Sequence, residues 1–212
     1  MTCILAGGIA VKMWQLYRTY RLPGVGWWIL GALGVASASL FAAIGVYVGV
    51  WARAVVSHIL LIGGVGALWL GARLFFGEGV DKRHYVLYGL LLIGSTCSFY
   101  WLWAVNPMYQ ARLALDSILL LIISLAISQS YFASMIKHRA VVITGVLYSL
   151  FALANGFRCV NIILFPKMDS YFLSGIGAIV LTFIMAPVLV VALASKVLII
   201  REKVRLSAED EQ

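Results

Sequence analysis

Residues 141–164 read VVITGVLYSLFALANGFRCVNIIL. The run is apolar and long enough to cross a bilayer core of about 30 Å. Near one end it carries Asn155, Arg158 and Asn161. Helical spacing places Tyr148, Asn155 and Arg158 on one face, with Asn161 at its edge. A guanidinium inside a membrane segment costs about 3 kcal/mol on insertion scales unless something answers it. The remaining chain is therefore read as a helical bundle around this segment, with an input site at Arg158.

The composition fits that reading. Of 212 residues, 63% are hydrophobic and 11% charged, and the mean hydropathy is +1.01. Long apolar stretches recur throughout, as in a polytopic membrane protein. The net charge of +8 comes from basic residues in short runs between apolar segments, a pattern of topology signals and not of a nucleic-acid face. Cys3, Cys97 and Cys159 lie singly in apolar segments without CxxC spacing, which argues against a disulfide framework or a zinc site.

Seven segments follow in order. The first, 1–16, is short, with no basic leader region or A-x-A cleavage site of a removable signal peptide. The basic, aromatic loop WQLYRTYRLPGVGWW follows, with Pro23 and Gly24 as breakers and Trp27 and Trp28 as interfacial anchors. Segments at about 25–50 and 54–76 carry small residues for close helix approach, among them Gly31, Gly34 and the ridge Gly63, Ala67, Gly71. Segments at about 85–104 and 113–135 precede the central one. The last begins near 171, contains Pro187, and runs through LVVALASKVLIIREKVRLSAEDEQ without a turn signal. Pro187 is expected to kink it.

With seven crossings and a cytoplasmic carboxy end, twelve of the 16 basic residues fall inside. The bias sets the amino terminus outside. Arg158 then lies about 26 Å along its helix from residue 141, in the same outer layer as Asp116, His58, Tyr100 and Trp101. Asp116 is the acid best placed to pair with Arg158. A purely structural account competes with this: Arg158 snorkelling to headgroups, and Asp116 satisfied by Arg112 four residues earlier. His84 and His138 fall on the opposite side and cannot complete a haem or metal site with His58, so no cofactor is expected. Ser117, Ser124, Ser128 and Tyr131 form a narrow arc read as a helix-packing stripe.

Three stretches, YRLPGVGWWILGALGVASASL, ANGFRCVNIILF and ASKVLIIREKVRLSAEDEQ, resemble the amino-terminal membrane sensor regions of bacterial diguanylate cyclases. There a multi-helix bundle precedes a signalling helix and a GGDEF catalytic domain. The resemblance implies a sensor role with Arg158 as the matching basic position, in the bacterial inner membrane. No GGDEF sequence is present, so the chain is read as an excised input domain without its own catalysis. Residues 1–198 form the bundle and 199–212 the start of the cytoplasmic helix.

The expectation is an all-α, seven-helix transmembrane bundle. A small ligand or lipid group enters from the outer side and contacts Arg158, surrounded by Asp116, His58, Asn155, Asn161 and Tyr100. Binding shifts the last helix about Pro187 within a homodimer formed through the carboxy-terminal helix. Two other classes stay open. One is a small transporter or channel, disfavoured because no inverted repeat is apparent. The other is a lipid-modifying membrane enzyme using Asp116 with His58.

Overall fold

The computed structural model describes residues 2–49, 52–136, 138–164 and 186–209. Among them there are seven α-helices and no strand: α1 (Thr2–Tyr20), α2 (Val25–Val48), α3 (Ser57–Phe76), α4 (Lys82–Tyr100), α5 (Tyr109–Phe132), α6 (Arg139–Leu164) and α7 (Ala186–Glu209). A π-helical turn, Ala52–Val56, leads into α3, and a second, Trp101–Val105, prolongs α4. Helices α2 to α6 are each long and apolar enough to cross a membrane.

Local chemistry sets the boundaries. Helix α1 continues four residues past the expected stop at Leu16, because nothing breaks it before Pro23. Much of the expected basic loop is therefore helical. The turn into α2 uses Arg21 at φ 46° and Gly24 at φ 82°. Gly77, at φ 75°, closes α3, with the Glu78 amide donating to the Arg73 carbonyl. Helix α4 starts at Lys82, earlier than apolarity alone suggests, because Asp81 and His84 form a capping box.

The helices α2, α3, α5, α6, α7 and α1 touch in that order, and α1 returns to α2, closing a ring. Helix α4 packs outside it, mainly on α3, and among its residues only Ser95 and Phe99 are buried. The α2–α3 seam is backbone-close. A Cβ on Gly64 would lie 3.0 Å from the Gly31 carbonyl oxygen, and one on Gly71 2.8 Å from that of Gly24. Gly63 of the expected ridge instead faces α4, and its carbonyl accepts from the Tyr88 hydroxyl at 2.7 Å.

Helices α5 and α6 form an antiparallel pair in which Ser128 donates to the Gly145 carbonyl and lies 2.7 Å from the Ser149 hydroxyl. The serine stripe is buried at Ser117, Ser124 and Ser128, as a packing face requires. Trp28 is not an interfacial anchor. It is fully buried, 4.5 Å from Phe75 and stacked at 6.5 Å on Tyr131. Its neighbour Trp27 stays partly exposed beside Tyr85 and Tyr88.

Candidate functional site

Two polar clusters lie at opposite ends of the ring. The first gathers where α3 and α5 begin and α6 ends. His58, in the first turn of α3, directs Nδ1 to Asp116 Oδ1 at 2.6 Å. Its ring stacks on Phe99 at 4.2 Å. The imidazole is buried and its Nε2 has no hydrogen-bond partner, while the Asp116 side chain stays 21% exposed. Both π-helical turns border this pair, one just before His58 and one just after Phe99. Such turns widen a helix locally and frequently mark functional positions.

Arg158 is half-buried near the end of α6, within electrostatic reach of Asp116 and Tyr109 but forming no direct ion pair with either. Arg112 does not satisfy Asp116. Its guanidinium lies over the Tyr109 ring, 5.6 Å from the centroid, and its Nε is buried without a partner. Cationic groups thus outnumber the single carboxylate here. That leaves the cluster suited to an added anion.

The other expected residues are placed as follows. Asn155 is fully buried, its amide donating to the Phe151 carbonyl at 2.8 Å while Oδ1 has no partner. Asn161 bonds back to its own helix at Phe157. Tyr100 is 47% exposed, and Phe99 takes the position against His58. Pro187 is exposed near the start of the described part of α7. The preceding segment, on which the expected kink depends, lies outside the described residues, as do Lys167 and Tyr171.

The second cluster was not expected from the sequence. Lys196 of α7 is fully buried. Its Nζ donates to the Tyr131 hydroxyl and lies 4.6, 4.8 and 5.1 Å from the ring centroids of Trp28, Tyr131 and Tyr148. Aromatic faces from α2, α5 and α6 thus enclose the Lys196 amino head, and their ring quadrupoles favour its charged form against the cost of burial. One turn of α6 away, the Thr144 and Ser195 hydroxyls share a hydrogen bond. Farther along α7, Lys203 donates to the Phe75 carbonyl at 2.6 Å, and partial burial lowers its pKa below the ordinary lysine value.

Between the clusters runs a column of buried polar groups. The hydrogen bonds of Ser128 with the Gly145 carbonyl and the Ser149 hydroxyl set the α5–α6 register. That register sets Ser124 opposite the Asn155 stretch. Ser124 Oγ, Asn155 Oδ1 and the Tyr148 hydroxyl are all buried without a protein partner. Unpaired buried polar atoms of this kind call for internal water. Among the described residues no three His, Cys, Asp or Glu side chains converge on a metal position.

Compared with known protein families, curated proteins and solved structures, the chain matches none.

Proposed function

We propose that the protein is a multi-pass membrane sensor domain that takes a small anionic or amphipathic ligand at the Arg158 end and answers by moving α7. In this reading the amino terminus faces outward and α7 leaves the bacterial inner membrane into the cytoplasm. There it drives an output such as a diguanylate cyclase, in a dimer formed through that helix. The observation that carries the reading is the His58–Asp116 pair with Arg158 beside it. Three helices contribute to one half-buried cluster that holds more positive than negative groups. A ligand anion there changes how α3, α5 and α6 repel or attract one another. Helices α5 and α6 pack along each other, and the Thr144–Ser195 and Tyr131–Lys196 hydrogen bonds tie them to α7. A differential affinity for two packings of the ring is then enough to shift α7.

The test places spin labels on the exposed positions Val86 and Leu206 of the protein in nanodiscs. The distance between them is followed as sodium octanoate or inorganic phosphate is added. The reading expects a change with at least one probe and its loss in Arg158→Ala. An unmoved distance with both, or an unaltered response in Arg158→Ala, refutes it.

The His58–Asp116 hydrogen bond also favours a second reading, a lipid-modifying enzyme in which the carboxylate orients the imidazole as a base. That reading requires turnover of phosphatidylglycerol by the purified protein, abolished by Asp116→Asn.

A further inference from the structure

At the Lys196 end of the ring, the turn between α1 and α2 opens a groove of about 400 Å³. Tyr17, Arg21, Gly26, Trp27, Leu30 and Leu74 line it. We propose that this groove is a binding site for one anionic phospholipid, with its phosphate at Arg21 and its acyl chains on α2.

Charge comes first. No acidic residue precedes Glu78 in the sequence, while Lys12, Arg18 and Arg21 all lie on α1 or directly after it. The described carboxylates at this end are already engaged: Glu78 with Arg73 and Ser130, Asp81 in the capping box of α4, Glu202 and Glu209 with Arg205. Arg21 forms no ion pair with any of them and stays exposed. A phosphate oxygen is the natural acceptor for its planar fork of donors.

Shape decides between a free phosphate and a lipid. Gly26, Leu30, Leu33 and Leu40 recur at helical spacing along α2, and the three leucines are 54, 46 and 44% exposed. This strip leads from the groove over about 21 Å of helix. An acyl chain anchored at the groove follows it, whereas inorganic phosphate leaves it bare. Tyr17 and Trp27 flank the entrance, side chains whose apolar bodies and polar tips suit the headgroup level. The absence of a side chain at Gly26 keeps the groove open, since a Cβ there meets nothing nearer than the Tyr17 ring at 3.9 Å.

The experiment is native mass spectrometry of the full chain released from detergent. Phosphatidylglycerol and phosphatidylcholine of equal chain length are supplied in equal amounts, with inorganic phosphate and glycerol phosphate as competitors. We expect one retained phosphatidylglycerol, at least tenfold favoured over phosphatidylcholine and not displaced by about 10 mM of either soluble phosphate. Gly26→Leu fills the groove without touching any charge, and Arg21→Gly removes the charge while easing the positive φ. Each is expected to cut retention about tenfold with helicity unchanged by circular dichroism. Equal retention of the two lipids, or retention unaffected by Gly26→Leu, overturns the proposal. Displacement by glycerol phosphate alone also overturns it, in favour of a soluble phosphate site.

Discussion

The seat of Lys196 makes a quantitative prediction. Desolvating an ammonium costs several kcal/mol. Against this stand three aromatic faces, each contributing about 1–2 kcal/mol when water is excluded, and a charge-assisted hydrogen bond to Tyr131 of about 1.5–3 kcal/mol. The terms nearly cancel. Lys196→Met, close in length and apolar, should therefore change stability by less than about 2 kcal/mol. Tyr131→Phe alone removes the acceptor but leaves the buried cation, at a cost of about 2–3 kcal/mol. In the Lys196→Met background the same Tyr131→Phe removes a hydroxyl that has lost its partner, and should be neutral or stabilising. The double-mutant cycle should thus give a coupling of at least about 2 kcal/mol. Reversible unfolding in mixed micelles, followed by helical circular dichroism, measures all four corners. A coupling below about 0.5 kcal/mol would refute the caged ammonium and with it the seat assigned to α7.

Further outcomes follow from the packing and from α7. Gly71→Leu drives a side chain into Trp28 and the Gly24 carbonyl and should abolish folding. Gly63→Ala meets the Tyr88 hydroxyl at 3.5 Å and the Leu92 methyls at 3.6 and 3.8 Å, ordinary contacts, and should be tolerated within about 1 kcal/mol, as read by thermal aggregation onset. The Glu202 carboxyl is held below its ordinary value of 4.5, first by the hydrogen bond from Arg205 and then by the charges of Arg205 and His138. Its folded pKa is depressed. The stabilisation is therefore complete above the ordinary carboxylate value and is lost as pH falls through the depressed one. Protection factors of the 202–209 amides, which remove the intrinsic pH dependence, should fall between about pH 5 and pH 3, and Arg205→Ala should remove most of that fall.

Much of the fold is legible because hydropathy and breakers act locally. Helices α2 to α6 begin and end close to where apolar runs meet Gly77, Asp81 or Pro107. What hydropathy cannot supply is the rotation of each helix. The small-residue ridge on α3 was assigned to Gly63, Ala67 and Gly71. The helix is turned so that Gly64 and Gly71 meet α2 and Gly63 meets Tyr88. The sequence offers Asp116 to Arg158, to Arg112 and, in the enzyme reading, to His58. The imidazole of His58 makes the contact, at 2.6 Å, and which of the three partners does so depends on helix rotations that hydropathy does not fix.

In the sequence Lys196 is one of the twelve basic residues that fall inside. A lone lysine in an apolar segment ordinarily lets its head reach water, and no linear pattern ties it to Trp28, Tyr131 and Tyr148. The available signal was its flank: Leu193, Ile199 and Ile200 lie three and four residues away on the same buried face. Trp28 was misread for a related reason. A segment-end tryptophan looks like an anchor until its neighbour, Trp27, is seen to occupy the outer side.

Helix α4 stands outside the closed ring, supported chiefly along one flank by α3. In a bilayer the remaining flank is braced by fluid lipid, so its tilt answers to the thickness of that fluid. Phe99 rides on α4 and roofs the His58 imidazole. The aromatic cover of the His58–Asp116 contact is therefore carried by the helix that leans least on its protein neighbours.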